Sequence, residues 1–101
     1  MDEPFDPARV AQALEHLPGW SGDASGLTRT YTFDSFSAAI AFMAAAAPRI
    51  DEMDHHPEWT NVYDRVDVRL SSHDVNGVSG RDVRLAEVLD ELADPSPADP
   101  A

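Results

Sequence analysis

The chain is 101 residues long, enough for one hydrophobic core and too short for two. Seven basic residues against nineteen acidic ones give a formal net charge of -12 and a pI near 4.3, which argues against a surface built to hold nucleic-acid phosphates. Cysteine is absent, so disulfides, thiolate nucleophiles and cysteine-based zinc sites are excluded.

Met1-Asp2-Glu3-Pro4 carries neither the basic nor the apolar region of a signal peptide, and no apolar run reaches membrane-spanning length. A cytoplasmic location with no membrane contact is therefore expected. From Asp6 to Leu17 the pattern is helical: Asp6 can cap, Pro7 can take the first helical position, and Val10, Leu14 and Leu17 share a face. Pro18-Gly19 ends that helix. After Trp20 and a turn around Ser21-Gly22-Asp23, Leu27 to Phe33 alternates as a strand with Leu27, Tyr31 and Phe33 on its buried side. Arg29 is the exception on that side.

Asp34 or Ser35 can cap a second helix, in which Phe36, Ile40, Met43 and Ala47 recur at helical spacing and Ala39 and Phe42 widen the stripe. Pro48 removes a helical hydrogen bond, so a kink or an early end is expected there, with a further turn reaching Met53. Two strands follow, about 58–63 and 65–71, joined tightly at Tyr63-Asp64 as a hairpin. Asn76-Gly77 signals a turn. Ser79 and Asp82 then open a last helix like a capping box, with Val83, Ala86, Leu89 and Leu92 facing inward.

The order is helix, two strands, helix, two strands, helix. It fits an α+β fold, a four-stranded antiparallel sheet with three helices packed on one face. Residues 1–93 are expected to form this domain and residues 94–101 a disordered acidic Pro/Ala tail. So small a sheet leaves edges open, and pairing with further copies would protect them.

Three of the four histidines fall close together, in His55-His56-Pro57-Glu58-Trp59 and in Ser71-Ser72-His73-Asp74. Imidazole titrates close to neutral pH, so such a group can hold an acid and a base within reach of one bound molecule. Taken with Asp51, Asn61-Val62-Tyr63, Arg65-Val66, Leu70, Gly77 and Arg81-Asp82, and upstream with Gly19-Trp20, Leu27, Arg29, Phe33, Phe36, Ala39 and Phe42-Met43, the chain resembles the pterin-4a-carbinolamine dehydratase family.

That resemblance implies removal of water from a 4a-hydroxytetrahydropterin to give the quinonoid dihydropterin, in pterin recycling, with neither metal nor organic cofactor. It implies a homodimer or homotetramer, while direct contact with nucleic acid is disfavoured by the net charge of -12. It places His55, His56, His73 and Asp82 in the catalytic centre. His55, His56, Pro57, Trp59, Ser72, His73 and Asp74 would meet the pterin. Relatives of this fold also act as protein partners, among them a coactivator of homeodomain proteins and RuBisCO assembly factors. Retention of the histidine set favours the enzyme.

The chemistry can be argued from the reaction itself. A carbinolamine loses its oxygen as water when an acid protonates that oxygen and a base takes the proton of the adjacent ring nitrogen. His55 and His56 are the better candidates for proton transfer and His73 for orienting the pterin or sharing that role, while Trp59 offers an apolar wall for a flat ring. Asp82 can orient His73, cap its helix, or do both. Asp51 is either an acidic site residue or a solvated helix residue, and here it stands where Glu is commoner in the family.

Overall fold

Asp6 opens the first helix, α1 (Pro7–Glu15), by accepting a hydrogen bond from the Arg9 amide at 2.8 Å, with Pro7 preset for the first turn. In a computed structural model, which describes residues 3–93, the elements after it are β1 (Ser21–Asp23), β2 (Gly26–Thr32), α2 (Phe36–Met53), β3 (Glu58–Val62), β4 (Arg65–Leu70), a one-turn 3-10 helix (His73–Val75) and α3 (Gly80–Ala93). The four strands form one antiparallel sheet in the order β1-β2-β4-β3, which is the α+β arrangement expected. The expected tail, 94–101, lies outside the described residues.

The strand of the first pair that periodicity does not reveal is β1. Ser21-Gly22-Asp23 reads as a turn because its three residues are all exposed and carry no apolar alternation. Its glycine is required by backbone geometry. Gly22 has φ +136°, and a Cβ there would stand 2.1 Å from the Gly26 carbonyl oxygen. Between β3 and β4 the two-residue link Tyr63-Asp64 holds Tyr63 at φ 54°, while the Asn61 amide donates to the carbonyls of Tyr63 and Arg65.

Register assembles the core. Leu27 faces Leu70, Arg29 faces Val68 and Tyr31 faces Val66 across β2 and β4, while Trp59 of β3 stands beside Val68. The alternate residues, Thr28, Thr30, Thr32, Arg65, Asp67 and Arg69, form the outer face. Arg29 does not break the apolar side. Its guanidinium lies over the Tyr31 ring at 4.5 Å and reaches Asp90 of α3 at 2.9 Å. The Trp20 indole and the Tyr31 hydroxyl also donate to Asp90, so one carboxylate ties α3 to β2 and to the link between α1 and β1. Burial, followed by the Asp90 carboxylate, pushes the Tyr31 phenol far above its ordinary 10.0.

Helix α2 turns a different stripe inward from the one spacing suggests. Ala39, Phe42, Ala46 and Ile50 are buried, whereas Phe36 and Ile40 remain 50 % and 41 % exposed and Ala47 is exposed too. The helix is apolar around much of its circumference, so contact rather than periodicity selects the face, and the small Ala39 and Ala46 allow close approach. Nor does Pro48 end the helix early. It sits on the exposed side, where water can satisfy the carbonyl that lacks its amide, and α2 continues to Met53.

Pro48→Ala is expected to restore that bond and raise unfolding stability by about 1–3 kcal/mol in urea titration. Asp90→Ala, which leaves three donors facing a gap, is expected to lower it by about 2 kcal/mol. A phenol raised in the folded state stabilises fully below its unfolded value of 10.0 and loses that contribution as pH rises, so stability measured above that pH should fall less steeply in Tyr31→Phe.

Candidate active site

Helix α2 ends at Asp54, whose left-handed backbone (φ 50°) turns the chain toward β3 and leaves His55, His56 and Pro57 in the link between them. Asp tolerates that conformation because its short polar side chain costs little there. The consequence for the pair is a division of environments. His55 is buried, 8 % exposed, whereas the His56 ring lies in the open.

The buried histidine meets a carboxylate. His55 Nε2 stands 2.6 Å from Oδ1 of Asp82, which is wholly buried in the first turn of α3. Oδ2 of the same carboxylate accepts from the Ser72 hydroxyl at 2.8 Å and from the Ser79 amide at 2.9 Å. A buried carboxylate needs such donors, since desolvation of an unpaired charge costs several kcal/mol. Asp82 thus caps its helix and holds a histidine at once. That histidine is His55, not the His73 considered from the sequence.

His56 turns toward Asp51 in the last turn of α2, at 3.1 Å, with both side chains exposed. His73 opens the 3-10 helix on the exposed side, directly after Ser72. This short segment is fastened at both ends. Ser72 pairs with Gly77, where a Cβ would stand 2.6 Å from the Ala24 carbonyl oxygen, and Asp74 accepts from Arg81 of α3 at 2.6 Å. The Arg81 guanidinium, by its hydrogen bond and its charge, holds the Asp74 carboxyl below the usual 3.8.

Other expected contact residues occupy distinct places. Ser72 is 1 % exposed, and its hydroxyl is engaged with Asp82 and Ser79 instead of opening to solvent. Trp59 is half-buried against Phe42, with ring centroids 6.3 Å apart. Pro57 and Trp59 also border a cavity of about 730 Å³ that spreads over the outer sheet face with Thr28, Thr30, Asp67 and Arg69. None of the three histidines lines that cavity, so volume and proton-transfer chemistry do not coincide. Among the described residues, no cluster of three His, Cys, Asp or Glu side chains is arranged to hold a metal, and no helix is long and apolar enough to cross a membrane.

Ser79 is more than a cap. Its spacing of three from Asp82 signals the cap in the sequence, but the hydroxyl contact to Ser72 at 2.7 Å joins residues that only the fold brings together.

The site thus joins a buried His–Asp pair to the first turn of the last helix of an antiparallel α+β fold. The chain belongs to the family described as pterin 4 alpha carbinolamine dehydratase, whose model matches residues 3–92. It is 46 % identical over 94 residues to a protein of Rhizorhabdus wittichii, covering 91 % of this chain and 97 % of that one. It is 47 % identical over 95 residues to a protein of Nitrobacter winogradskyi, covering 92 % and 94 %. Both relatives are provisionally named pterin-4-alpha-carbinolamine dehydratases. A crystal structure from Brucella melitensis, described as a transcriptional coactivator/pterin dehydratase, superposes with a TM-score of 0.87 at 39 % identity, over 90 % of this chain and 99 % of that one.

Asp82→Ala, which strands His55, the Ser72 hydroxyl and the Ser79 amide together, is expected to cost about 3 kcal/mol of unfolding stability. Asp51→Ala, at an exposed pair, is expected to change it by less than about 0.5 kcal/mol in the same urea titration.

Proposed function

We propose that this chain dehydrates 4a-hydroxytetrahydropterin to quinonoid dihydropterin and water by general acid–base catalysis, serving pterin recycling in the cytoplasm. The observation that carries the reading is the buried His55–Asp82 pair, with His56 next to it in the chain and His73 next to Ser72, a second partner of the same carboxylate. With Nε2 committed to Asp82, the remaining ring nitrogen of His55, Nδ1, takes the proton of the pterin ring nitrogen beside C4a. An exposed imidazole, His56 or His73, gives its proton to the C4a hydroxyl as the C–O bond breaks. The electron pair of the N–H bond becomes the C=N bond and the oxygen departs as water, so protons and electrons balance with no redox partner.

Trp59 and Pro57 offer an apolar border for the flat ring, and Asp74, kept ionised by Arg81, offers an acceptor to the pterin's amino and ring N–H groups. Assembly as a homodimer or homotetramer suits the exposed edge residues Val62 and Tyr63 and the open apolar positions Phe36 and Ile40. A coactivator-like or assembly role without catalysis is the weaker reading, because it accounts for the His55–Asp82 pair as a structural element but leaves the exposed imidazoles His56 and His73 without a use. Direct nucleic-acid binding is disfavoured by the net charge of -12.

In stopped-flow assays of carbinolamine dehydration the intact protein should outpace buffer, and His55→Ala, with folding verified, should lose about a hundred- to ten-thousand-fold in kcat. An intact, folded protein no faster than buffer would contradict the catalytic reading.

A further inference from the structure

Two buried hydroxyls stand behind the His55–Asp82 pair, and neither is needed to touch a substrate. Ser72, in the link just after β4, is 1 % exposed, and Ser79, at the threshold of α3, is wholly buried. Their oxygens are 2.7 Å apart, and the Ser72 oxygen is 2.8 Å from Asp82 Oδ2. Each hydroxyl has one proton to give. Asp82 Oδ2 is an acceptor, so the Ser72 proton is spent on it. The proton in the contact between the two hydroxyls must then come from Ser79, whose oxygen in turn accepts from the Arg81 amide at 3.3 Å. The chain therefore has one direction, from the α3 amide through Ser79 and Ser72 to the carboxylate.

We propose that Ser72 and Ser79 are positioning residues that fix the Asp82 carboxylate and, through it, the tautomer of His55. Two donors, the Ser72 hydroxyl and the Ser79 amide, hold Oδ2 and prevent the carboxylate from rotating. Oδ1 is then left as an acceptor facing His55 Nε2, which must carry the proton in the 2.6 Å contact. A neutral ring with its proton on Nε2 presents a bare Nδ1 to whatever binds. Without Ser72 the carboxylate gains freedom to turn, and the opposite tautomer, with no acceptor lone pair for the reacting proton, becomes accessible.

This inference rests on the dehydratase reading for its kinetic consequence but not for its spectroscopic one. In long-range 15N–1H correlation spectra of the labelled intact protein, at a pH where the ring is neutral, His55 is expected to show the single pattern of an Nε2–H imidazole. Ser72→Ala should broaden or split it toward a tautomer mixture and lower kcat about tenfold, the scale of one lost hydrogen bond to a charged acceptor, with KM changed less than about twofold. Ser72→Thr, which keeps the hydroxyl, should restore both.

An Nδ1–H pattern in the intact protein would overturn the proposal without recourse to any variant. So would a folded Ser72→Ala protein with the original pattern and kcat. If the intact protein failed to accelerate dehydration while the Nε2–H pattern and its dependence on Ser72 held, the functional reading would fall and the positioning would stand.

Discussion

The buried carboxylate of Asp82 is the constraint on which the rest of the site depends. A charge wholly removed from water is tolerable only when its oxygens are supplied with donors, and here they come from three parts of the chain. His55 arrives from the link after α2, Ser72 from the link just after β4, and the Ser79 amide from the start of α3. Satisfying one anion thereby fixes the meeting point of a helix end, a strand end and a helix beginning. The same bonds set the orientation of the one histidine shielded from solvent, so the contacts that stability requires are also those on which the proposed proton transfer rests.

A second carboxylate performs a comparable service farther along α3. Asp90 collects the Trp20 indole, the Arg29 guanidinium and the Tyr31 hydroxyl, and pins the helix against β2. The two acids are eight positions apart on one helix, so the axial placement of α3 against the sheet is held at both points. Between them Leu85, Ala86 and Leu89 enter the core. The sheet's outer face, by contrast, carries threonines and charged residues, and the cavity of about 730 Å³ lies there, lined by none of the three histidines.

The fold was legible where side chains alternate or recur against a polar background. The strand at Leu27–Phe33, the hairpin around Tyr63-Asp64 and the capped helices at Asp6 and Ser79 follow from local rules that the packing respects. β1 was not legible as a strand, because a three-residue exposed edge needs no apolar face. The buried stripe of α2 differs from the one spacing suggests because a helix rich in alanine has no single apolar side until a partner selects one. At the site, the histidines and Asp82 stood out by residue type and spacing, but which histidine the carboxylate holds is a long-range fact. His55 and His73 are both plausible partners in one dimension, and the left-handed turn at Asp54 decides between them.

Backbone and side-chain chemical shifts during titration with a non-reacting reduced pterin analogue test the central claim most directly, namely that the histidine-and-carboxylate cluster is where the pterin binds. The account predicts that the largest changes fall on His55, His56, His73 and the Trp59 indole, and that His55→Ala weakens them. Changes confined to Thr28, Thr30, Asp67 and Arg69 on the outer sheet face, with the histidines unmoved, would contradict it.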